Sequence, residues 1–511
     1  MKYIALTLGP ITRTIDMAEN TRGLWAASFL FSYMGKEIIR PFKDRSFLLP
    51  YISDEMFTGK FDGAGVFPDR YIFKSEEGDF EAVRNRVNNV LNELASKIAE
   101  ITGLSPDTVV LPFLHKYLKV YFYEKDFTGN TEKEIKTSCE KSLALLEMQD
   151  AVVSKVDDKN TVLNRFFDRV TTSFLTDDAG FKEKGFPTIV KISSGGSDEA
   201  PKHPYQRYIA IVKADGDSMG KAFATIDNSM KLSSALFEFN KKAATIISDY
   251  KGLPVYIGGD DLLFFAPIFT EKGSIFSLLN ELDAAFHDSI KEKTNLGEHP
   301  TLSFGVSVSY YKYPMFEALS LADSLLKKAK AADAEKDEDV LKNNIVFAVQ
   351  KHSGQSRSVL LHKGCVETLK LFNDIESLLI RKTSAREESG KEEKKMLSSV
   401  MHGLREEEAV LSIAIKDKDT LEYFLKNNFN EVYKQNTEFF DMVKNLLLTT
   451  YEEYQKEGML AKLKHSLPKN MLEDAGTKVT SAEKVVVETA YNALQFVHLV
   501  NQRKDEQNEN I

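Results

Sequence analysis

Cysteine is almost absent from this chain, since Cys139 and Cys365 are the only two among 511 residues. Two cysteines so far apart cannot build a disulfide framework or a four-cysteine zinc site, so we expect a protein without zinc. No apolar run approaches the roughly 18 residues that a membrane-spanning helix needs. The N-terminal apolar stretch is short and is interrupted at Gly9–Pro10. These features predict a cytoplasmic protein with no membrane partner.

Positive charge is in deficit, because the chain has 67 Lys and Arg but 76 Asp and Glu, which gives a formal net charge of -9. This balance argues against a freestanding protein that binds nucleic acid by bulk electrostatics. Local basic patches or basic partner subunits would have to bring it to RNA. The hydrophobic content of 42% is typical of a soluble globular protein. The length predicts roughly two to four domains.

The order of apolar patterns predicts an α+β fold with four parts. Residues 1–126 read as strands and amphipathic helices in the order β-α-β-α-β, and residues 127–200 as a helical intermediate region with a linker. Residues 201–351 read β-α-β-β-α-β-α-β, which contains the ferredoxin-like split β-α-β found in the palm of polymerases and nucleotide cyclases. Residues 352–511 are mostly helical in pattern, and the charged run 381–395 is predicted to be a mobile loop.

Acidic side chains end two predicted strands of the third part. "VKADGDSMGKAF" supplies Asp215 and Asp217, and "YIGGDDLLFF" supplies Asp260 and Asp261 in a hairpin predicted to turn at Gly258–Gly259. In a β-α-β-β unit these strand ends are neighbours, so the carboxylates would repel each other unless cations screen them. Mg²⁺, or Mn²⁺ in its place, binds oxygen ligands and shares them with substrate phosphates. We therefore predict Asp215, Asp260 and Asp261 as catalytic metal ligands.

The residues around these carboxylates suit a nucleotide. A loop with glycines leaves backbone N–H groups open to phosphate oxygens, and a lysine can meet a triphosphate. The predicted nucleotide-binding residues are Gly216, Asp217, Ser218, Gly220, Lys221, Gly258, Gly259 and Lys330. Each also has an ordinary explanation, as a hairpin turn, a solvated loop or the wet face of an amphipathic helix. The conjunction of acid pairs on two strands in the right order favours nucleotidyl transfer.

Several segments together resemble a known family. "VKADGDSMGKAF", "YIGGDDLLFF", "SFGVSVSY" and "EALSLADSLLKKAK" resemble the second palm of the large polymerase/cyclase-like subunit of type III CRISPR complexes, most closely the Cmr (type III-B) form. "VFPDRYIF" and the segment 6–38 resemble the first palm of that subunit. The likeness covers most of residues 1–350. The C-terminal helices carry no motif of this kind.

The resemblance implies two ferredoxin-like palms and ATP as substrate. Subunits of this family make a nucleotide second messenger, typically cyclic oligoadenylate, in antiviral defence when guide RNA pairs with target RNA. It also implies other Cmr-type subunits, guide RNA and target RNA as partners. In the family's pattern, Asp215 and the GGDD motif (Gly258–Asp261) are the metal-binding elements, Gly216–Lys221 is the phosphate loop, and Lys330 contacts phosphate.

Two departures from the family pattern are visible. Many relatives carry an N-terminal HD nuclease domain, whereas the only His-Asp pair here, His287–Asp288, lies in a predicted helix, so we expect no DNase activity. The four-cysteine zinc module of many relatives cannot form.

The sequence leaves the function open in three ways. The same chemistry could transfer AMP from ATP to a non-nucleotide small molecule, because the acceptor site cannot be read from the sequence. The chain could be a catalytically silent scaffold, although the intact GGDD motif and Asp215 count against that. A diguanylate-cyclase-like enzyme is a third alternative, but Leu262 follows Asp261 where that class has a different hairpin sequence.

Overall fold

The structure is a computed structural model of the full chain. It describes the following residues: 1–16, 18, 20–148, 162–170, 173–181, 186–197, 199, 201–226, 229–296, 300–334, 339–350, 356–385, 389–456, 458–468, 471 and 481–500. Contacts divide the chain into two compact units. The first unit comprises 1–188, 218–264 and 280–300, and the second comprises 189–217, 265–279 and 301–511.

Among the described residues, the strands lie before residue 363 and the elements beyond it are helices. The strands are β1 (Lys2–Gly9), β2 (Phe47–Leu49), β3 (Arg70–Lys74), β4 (Lys119–Asp126), β5 (Tyr208–Gly216), β6 (Leu253–Gly258), β7 (Asp261–Pro267), β8 (Phe269–Thr270), β9 (Gly273–Ser274), β10 (Leu302–Tyr310), β11 (Asn344–Gln350) and β12 (Ser356–His362).

The helices up to the end of β12 are α1 (Ile11–Asp16), α2 (Thr21–Ile39), α3 (Asp54–Thr58), α4 (Asp79–Thr102), α5 (Leu111–Tyr117), α6 (Glu132–Met148), α7 (Val162–Asp168), α8 (Phe174–Ala179), α9 (Ile189–Ser193), α10 (Met219–Thr225), α11 (Ser229–Asp249), α12 (Ile275–Lys293) and α13 (Met315–Ala329). The helices beyond it are α14 (Val366–Ala385), α15 (Ser389–Glu406), α16 (Glu408–Ala414), α17 (Lys418–Gln435), α18 (Thr437–Tyr454), α19 (Met459–Leu463) and α20 (Ala482–Val500). Among the described helices, none has both the length and the apolar composition that crossing a bilayer requires.

The first sheet has the strand order β2-β3-β1-β4, which is the ferredoxin-like order, and every pair in it is antiparallel. Both of its faces are covered. Ile4 and Leu6 of β1 face the core beneath α2 and α4, while Tyr3 and Ala5 face Cys139 and its neighbours on α6. Burial on both faces explains why this strand is apolar at almost every position.

The second sheet has six strands in the order β12-β11-β10-β5-β7-β6. Its four strands β10-β5-β7-β6 repeat the ferredoxin-like order of the first sheet. β10 runs antiparallel to β5, with Ser303 opposite Asp215, and parallel to β11. The predicted α+β fold is confirmed, whereas the bounds of the four predicted domains stay a prediction.

Helix α13 lies unusually close to the strand β10. An added Cβ at Gly305 would lie 2.2 Å from the backbone N of Leu326 and 2.5 Å from the backbone O of Ala322. Neither backbone atom can move away without moving the helix. Glycine at this position therefore sets the distance between α13 and the sheet.

The C-terminal helices pack around α20, which contacts α14, α15, α16 and α18 as well as β12. Val485, Val486 and Phe496 of α20 are fully buried. This apolar helix forms the centre of the C-terminal part, and β12 connects that part to the sheet through its pairing with β11.

Two expectations need correction. β12 lies where the sequence predicted helix from residue 352 onward, because a short apolar run does not distinguish a buried strand from a helix. The charged run 381–395 is helical at 381–385 and 389–395, since Lys, Arg, Glu and Ala favour helices as well as solvent. Residues 149–161, predicted as helical, lie outside the described residues.

The close approach at Gly305 predicts a loss of stability in Gly305→Ala. The new methyl group would push α13 away from β10, which should lower the free energy of unfolding by about 1–3 kcal/mol, as overpacking does. Urea unfolding followed by circular dichroism measures the effect. Gly220→Ala is the control, because a Cβ at Gly220 would meet no atom within 4 Å. Equal stability of the two variants would contradict the prediction.

The buried His362 predicts a specific loss of stability in acid. His362 is 6% exposed, and its Nδ1 lies 2.8 Å from the Asn344 side-chain oxygen. Burial, assisted by the charge of Lys363 and opposed by that of Glu453, lowers the His362 pKa from 6.5 to about 4. Because the folded state favours the neutral ring, its stabilisation is complete above pH 6.5 and is lost as the pH falls toward 4.

Between pH 7 and pH 4.5 this group should therefore remove about 2–3 kcal/mol of stability. Urea unfolding at both pH values should show a smaller acid-induced loss in His362→Gln than in the wild type. His402→Gln serves as the control, because the His402 side chain is 65% exposed. An identical acid-induced loss in the wild type and His362→Gln would refute the prediction.

Candidate active site

The strand β5 ends in the first predicted carboxylate. Residues 213 and 215 lie on the same face of this strand, two positions apart, and both are partly exposed, whereas Ala214 between them is buried. Pairing with β10 fixes the strand end, where Asp215 is opposite Ser303 and Gly216 is opposite Leu302. The Asp215 side chain is 29% exposed. The carboxylate is therefore held by a well-paired strand and is open to solvent on one side.

Helix α13 and its C-cap present the opposite charges to this strand. Lys330 forms an ion pair with Asp215 and donates a hydrogen bond to the backbone O of Gly216 at 2.9 Å. Lys213 pairs with Asp323 at 3.0 Å. Sequence reasoning identified Lys330 but not its partner on β5. The predicted contact of Lys330 with a phosphate stays a prediction.

A second lysine of the helix also reaches Asp323, since Lys327 lies 2.8 Å from it. Burial alone would raise the pKa of Asp323, but the hydrogen bonds from Lys327 and Lys213 lower it below its ordinary value. The carboxylate is therefore ionised at neutral pH, and its charge holds Lys213 in place beside Asp215.

Asp217 has a different environment from Asp215. It is 3% exposed, and its Oδ2 accepts hydrogen bonds from the Thr301 hydroxyl at 2.8 Å, the Ser303 hydroxyl at 2.8 Å and the Asn343 backbone N–H at 2.9 Å. Burial raises the pKa of Asp217 despite these bonds and the charge of Lys330. Asp217 therefore joins the ends of β5, β10 and β11. Its predicted nucleotide contact stays a prediction.

The loop after β5 belongs to the predicted phosphate-binding residues. Ser218 has a left-handed backbone (φ 58°), and α10 begins directly after it. Ser218, Gly220 and Lys221 are exposed. The ammonium group of Lys136 lies over the ring of Phe223 in α10, 4.3 Å from the ring centroid. This contact fixes the short helix against α6. The segment is therefore supported by α10, and its exposed positions alternate with the buried Asp217 and Met219.

The hairpin turns one residue later than predicted. β6 ends at Gly258 and β7 begins at Asp261, so the two turn residues are Gly259 and Asp260 rather than the two glycines. Gly259 has a φ of 64°, which favours glycine. Asp260 is partly buried at the tip, whereas Asp261 is exposed at the first position of β7. The shift gives the two aspartates different positions, one in the turn and one on the strand.

Tyr256 explains the glycine before the turn. A Cβ at Gly258 would lie 2.4 Å from the Tyr256 hydroxyl, so a larger residue there would displace the ring. Burial, together with the charges of Asp261, Asp69 and Asp260, raises the pKa of Tyr256 well above its ordinary value. Sequence reasoning assigned no role to Tyr256 or Asp69, although both lie in segments quoted above, because their contact depends on residues far apart in the chain.

The donor types at the end of β5 suit a divalent cation. Asp215 offers carboxylate oxygens, and the Oδ1 of Asp217 is buried without a hydrogen-bond partner. Mg²⁺ typically takes one or two carboxylates and completes its shell with water and substrate phosphates. In the part of the chain that the structure describes, no three or more His, Cys, Asp or Glu residues are grouped so as to hold a metal ion. The predicted metal ligands Asp215, Asp260 and Asp261 therefore stay a prediction.

Comparison with known proteins identifies both sheets. The family model described as "Cas10/Cmr2, second palm domain" matches residues 208–339, and "CRISPR-associated protein Cmr2, N-terminal" matches residues 3–146. The Cmr subunit Cmr2 of Pyrococcus furiosus is 23% identical over 273 residues, which are 47% of this chain. That match covers 29% of the length of the relative.

Two solved structures are also similar. The apo state of a type III-B Cmr-beta complex matches over 84% of this chain and 77% of the other chain, with a TM-score of 0.51 and 10% identity. A Csm1-Csm4 cassette in complex with cA4 matches over 97% and 69%, with a TM-score of 0.49 and 11% identity. The first of these likenesses shows the shared fold.

The family models cover the two regions that carry the ferredoxin-like strand order and the quoted motifs. The predicted family resemblance is thereby confirmed, and the chain belongs to the Cas10/Cmr2 family.

Proposed function

We propose that this chain uses ATP and Mg²⁺ for nucleotidyl transfer and makes a second messenger of the cyclic oligoadenylate type within an RNA-guided type III CRISPR complex. The observation that carries the proposal is the pair of acidic strand ends on a palm sheet. Asp215 lies at the end of β5, and the GGDD motif forms the tight turn between β6 and β7.

Several features support a shared site for these elements. The strand order β10-β5-β7-β6 is that of the ferredoxin-like palm, in which the first strand and the hairpin are neighbours. The matched family model is a second palm domain. Asp215 is partly exposed and Asp260 is at a hairpin tip, so both carboxylates are accessible to a ligand. Membership of the Cas10/Cmr2 family supports the polymerase/cyclase-like chemistry over a purely structural role.

The residues take distinct roles in the proposed reaction. Asp215 and Asp260 would hold the divalent cation, with Asp261 as a further ligand or a ribose contact. When bound, the cation would supply Lewis-acid activation of the reacting phosphate. In the segment Gly216–Lys221, the exposed residues Ser218, Gly220 and Lys221 would bind the triphosphate through backbone N–H groups at the start of α10 and through the Lys221 ammonium group.

Lys330 forms an ion pair with Asp215 and donates a hydrogen bond to the backbone O of Gly216, at the start of the predicted phosphate-binding segment. We propose that it moves to a phosphate oxygen when ATP and the cation arrive. An incoming cation would compensate Asp215 in place of the ammonium group, so the exchange keeps both charges paired.

The proposed partners follow from the family and from the charge of the chain. Because the net charge is -9, we propose that other Cmr-type subunits carry the guide RNA and the target RNA and bring this chain to them. The purified complex, incubated with ATP, Mg²⁺ and cognate target RNA, tests the function when its products are identified by mass spectrometry. Oligoadenylate supports the proposal. An AMP conjugate, a cyclic dinucleotide or no product would replace it with another function.

Replacing Asp260 should nearly abolish product formation. Asp260→Ala removes a proposed cation ligand at the hairpin tip, and the loss of several kcal/mol of transition-state stabilisation corresponds to a rate at least about a hundredfold lower. The initial rate of product formation by the assembled complex measures it. Asp419→Ala, an exposed aspartate in the first turn of α17, is the matched control and should leave the rate unchanged. A normal rate for folded and assembled Asp260→Ala would refute the role of Asp260.

Replacing Lys330 should weaken ATP binding. Lys330→Met removes a charge-assisted contact, which is typically worth about 1.5–3 kcal/mol, so the KM for ATP should rise roughly tenfold or more. An ATP titration of the product-formation rate measures this change. Lys327→Met is the control, because Lys327 lies on the same helix, pairs with Asp323 and is 68% exposed. An unchanged KM in Lys330→Met would show that Lys330 serves only the ion pair with Asp215.

A further inference from the structure

A buried asparagine of α11 contacts the hairpin tip. Asn240 is 4% exposed. In the amide orientation that satisfies both ends of the side chain, the Asn240 nitrogen donates to the backbone O of Gly259 at 2.8 Å and to the backbone O of Leu236 at 3.1 Å. The Asn240 side-chain oxygen accepts from the Gly259 N–H at 3.1 Å. A single side chain therefore satisfies both backbone polar groups of Gly259.

This two-point contact fixes the orientation of the turn. Gly259 has a left-handed backbone, and Asp260 is the next residue, so the direction of the Asp260 side chain depends on where Gly259 is held. An amide supplies a donor and an acceptor side by side, as a peptide group does. Aspartate at the same position would accept from the N–H but could not donate to the carbonyl, and leucine would do neither.

Helix α11 is itself held in place by the segment that joins β2 to β3. The Phe237 ring packs against Tyr51 and Phe61, with centroid distances of 6.1 and 5.9 Å. Lys241 pairs with Glu55 at 2.9 Å. Phe237 and Lys241 lie within one turn of Asn240, so the helix is fixed at the position from which its amide reaches the hairpin.

We propose that Asn240 is a positioning residue that sets the orientation of Asp260 for catalysis. This inference rests on the proposed nucleotidyl transfer, in which Asp260 holds the cation. Asn240 touches no substrate atom in this role and acts through the Gly259 peptide. A displacement of about 1 Å at a reacting group can lower a rate by about a hundredfold, so a looser turn should reduce kcat more than ATP affinity.

Two measurements on the assembled complex test the proposal. Hydrogen exchange followed by mass spectrometry in a peptide that covers 256–262 reports the contact without any need for activity. In Asn240→Leu, exchange of the turn amide should be about tenfold faster or more, because a buried hydrogen bond is lost. In the rate assay, kcat should fall about 10- to 100-fold while the KM for ATP changes less than threefold.

The matched control is Asn492→Leu. Asn492 is also 4% exposed and lies on a helix, and its amide donates to the backbone O of Glu488 at 2.7 Å, far along the chain from the hairpin. It should change neither the exchange of 256–262 nor kcat. Asn240→Asp serves if the leucine variant does not fold, since it keeps the bond accepted from Gly259 and should still lower kcat at least about tenfold.

The outcomes separate the two levels of the proposal. Unchanged exchange in Asn240→Leu would overturn the contact itself. Faster exchange with an unchanged kcat, or a KM that rises as much as kcat falls, would overturn the positioning role. A wild-type complex that makes no nucleotide product would overturn the proposed function instead, and the exchange result would still decide whether Asn240 holds the turn.

Discussion

The crossed pairing of charges between β5 and α13 is the interaction on which the candidate site depends. On one face of the strand, Lys213 precedes Asp215. Along the helix and its C-cap, Asp323 precedes Lys330. Lys213 therefore pairs with Asp323 while Asp215 pairs with Lys330. The close approach at Gly305 brings the helix within reach of the strand.

Asp215 and Asp217 are neighbouring aspartates with different surroundings. Asp215 is paired with the Lys330 ammonium group and is partly open to solvent. Asp217 is enclosed, and its hydrogen bonds come from the backbone and short hydroxyl side chains of adjoining strands. A charge held in that way stabilises the strand ends and is not readily exchanged.

Periodicity and turn chemistry predicted most of the elements, the fold class and the carboxylates, because these depend on residues close together in sequence. The missed features depend on distant contacts. Asn240 reads as a polar interruption in an apolar helix, and its partner Gly259 comes from another element. The pair of Lys213 and Asp323 is separated by 110 residues. β12 was missed because the strand that pairs with it, rather than its own short apolar pattern, decides its conformation.

The two palms share a strand order but differ at the corresponding hairpin. In the second palm, two residues join β6 to β7 and bring an aspartate to the tip, whereas in the first palm residues 50–69 join β2 to β3. That longer connection carries Tyr51, Glu55 and Phe61, which pack against α11. Because α11 also holds Gly259, the first palm contributes to the orientation of the hairpin turn without supplying its carboxylates. The same fold thus carries the proposed catalytic residues in one copy and supports their turn in the other.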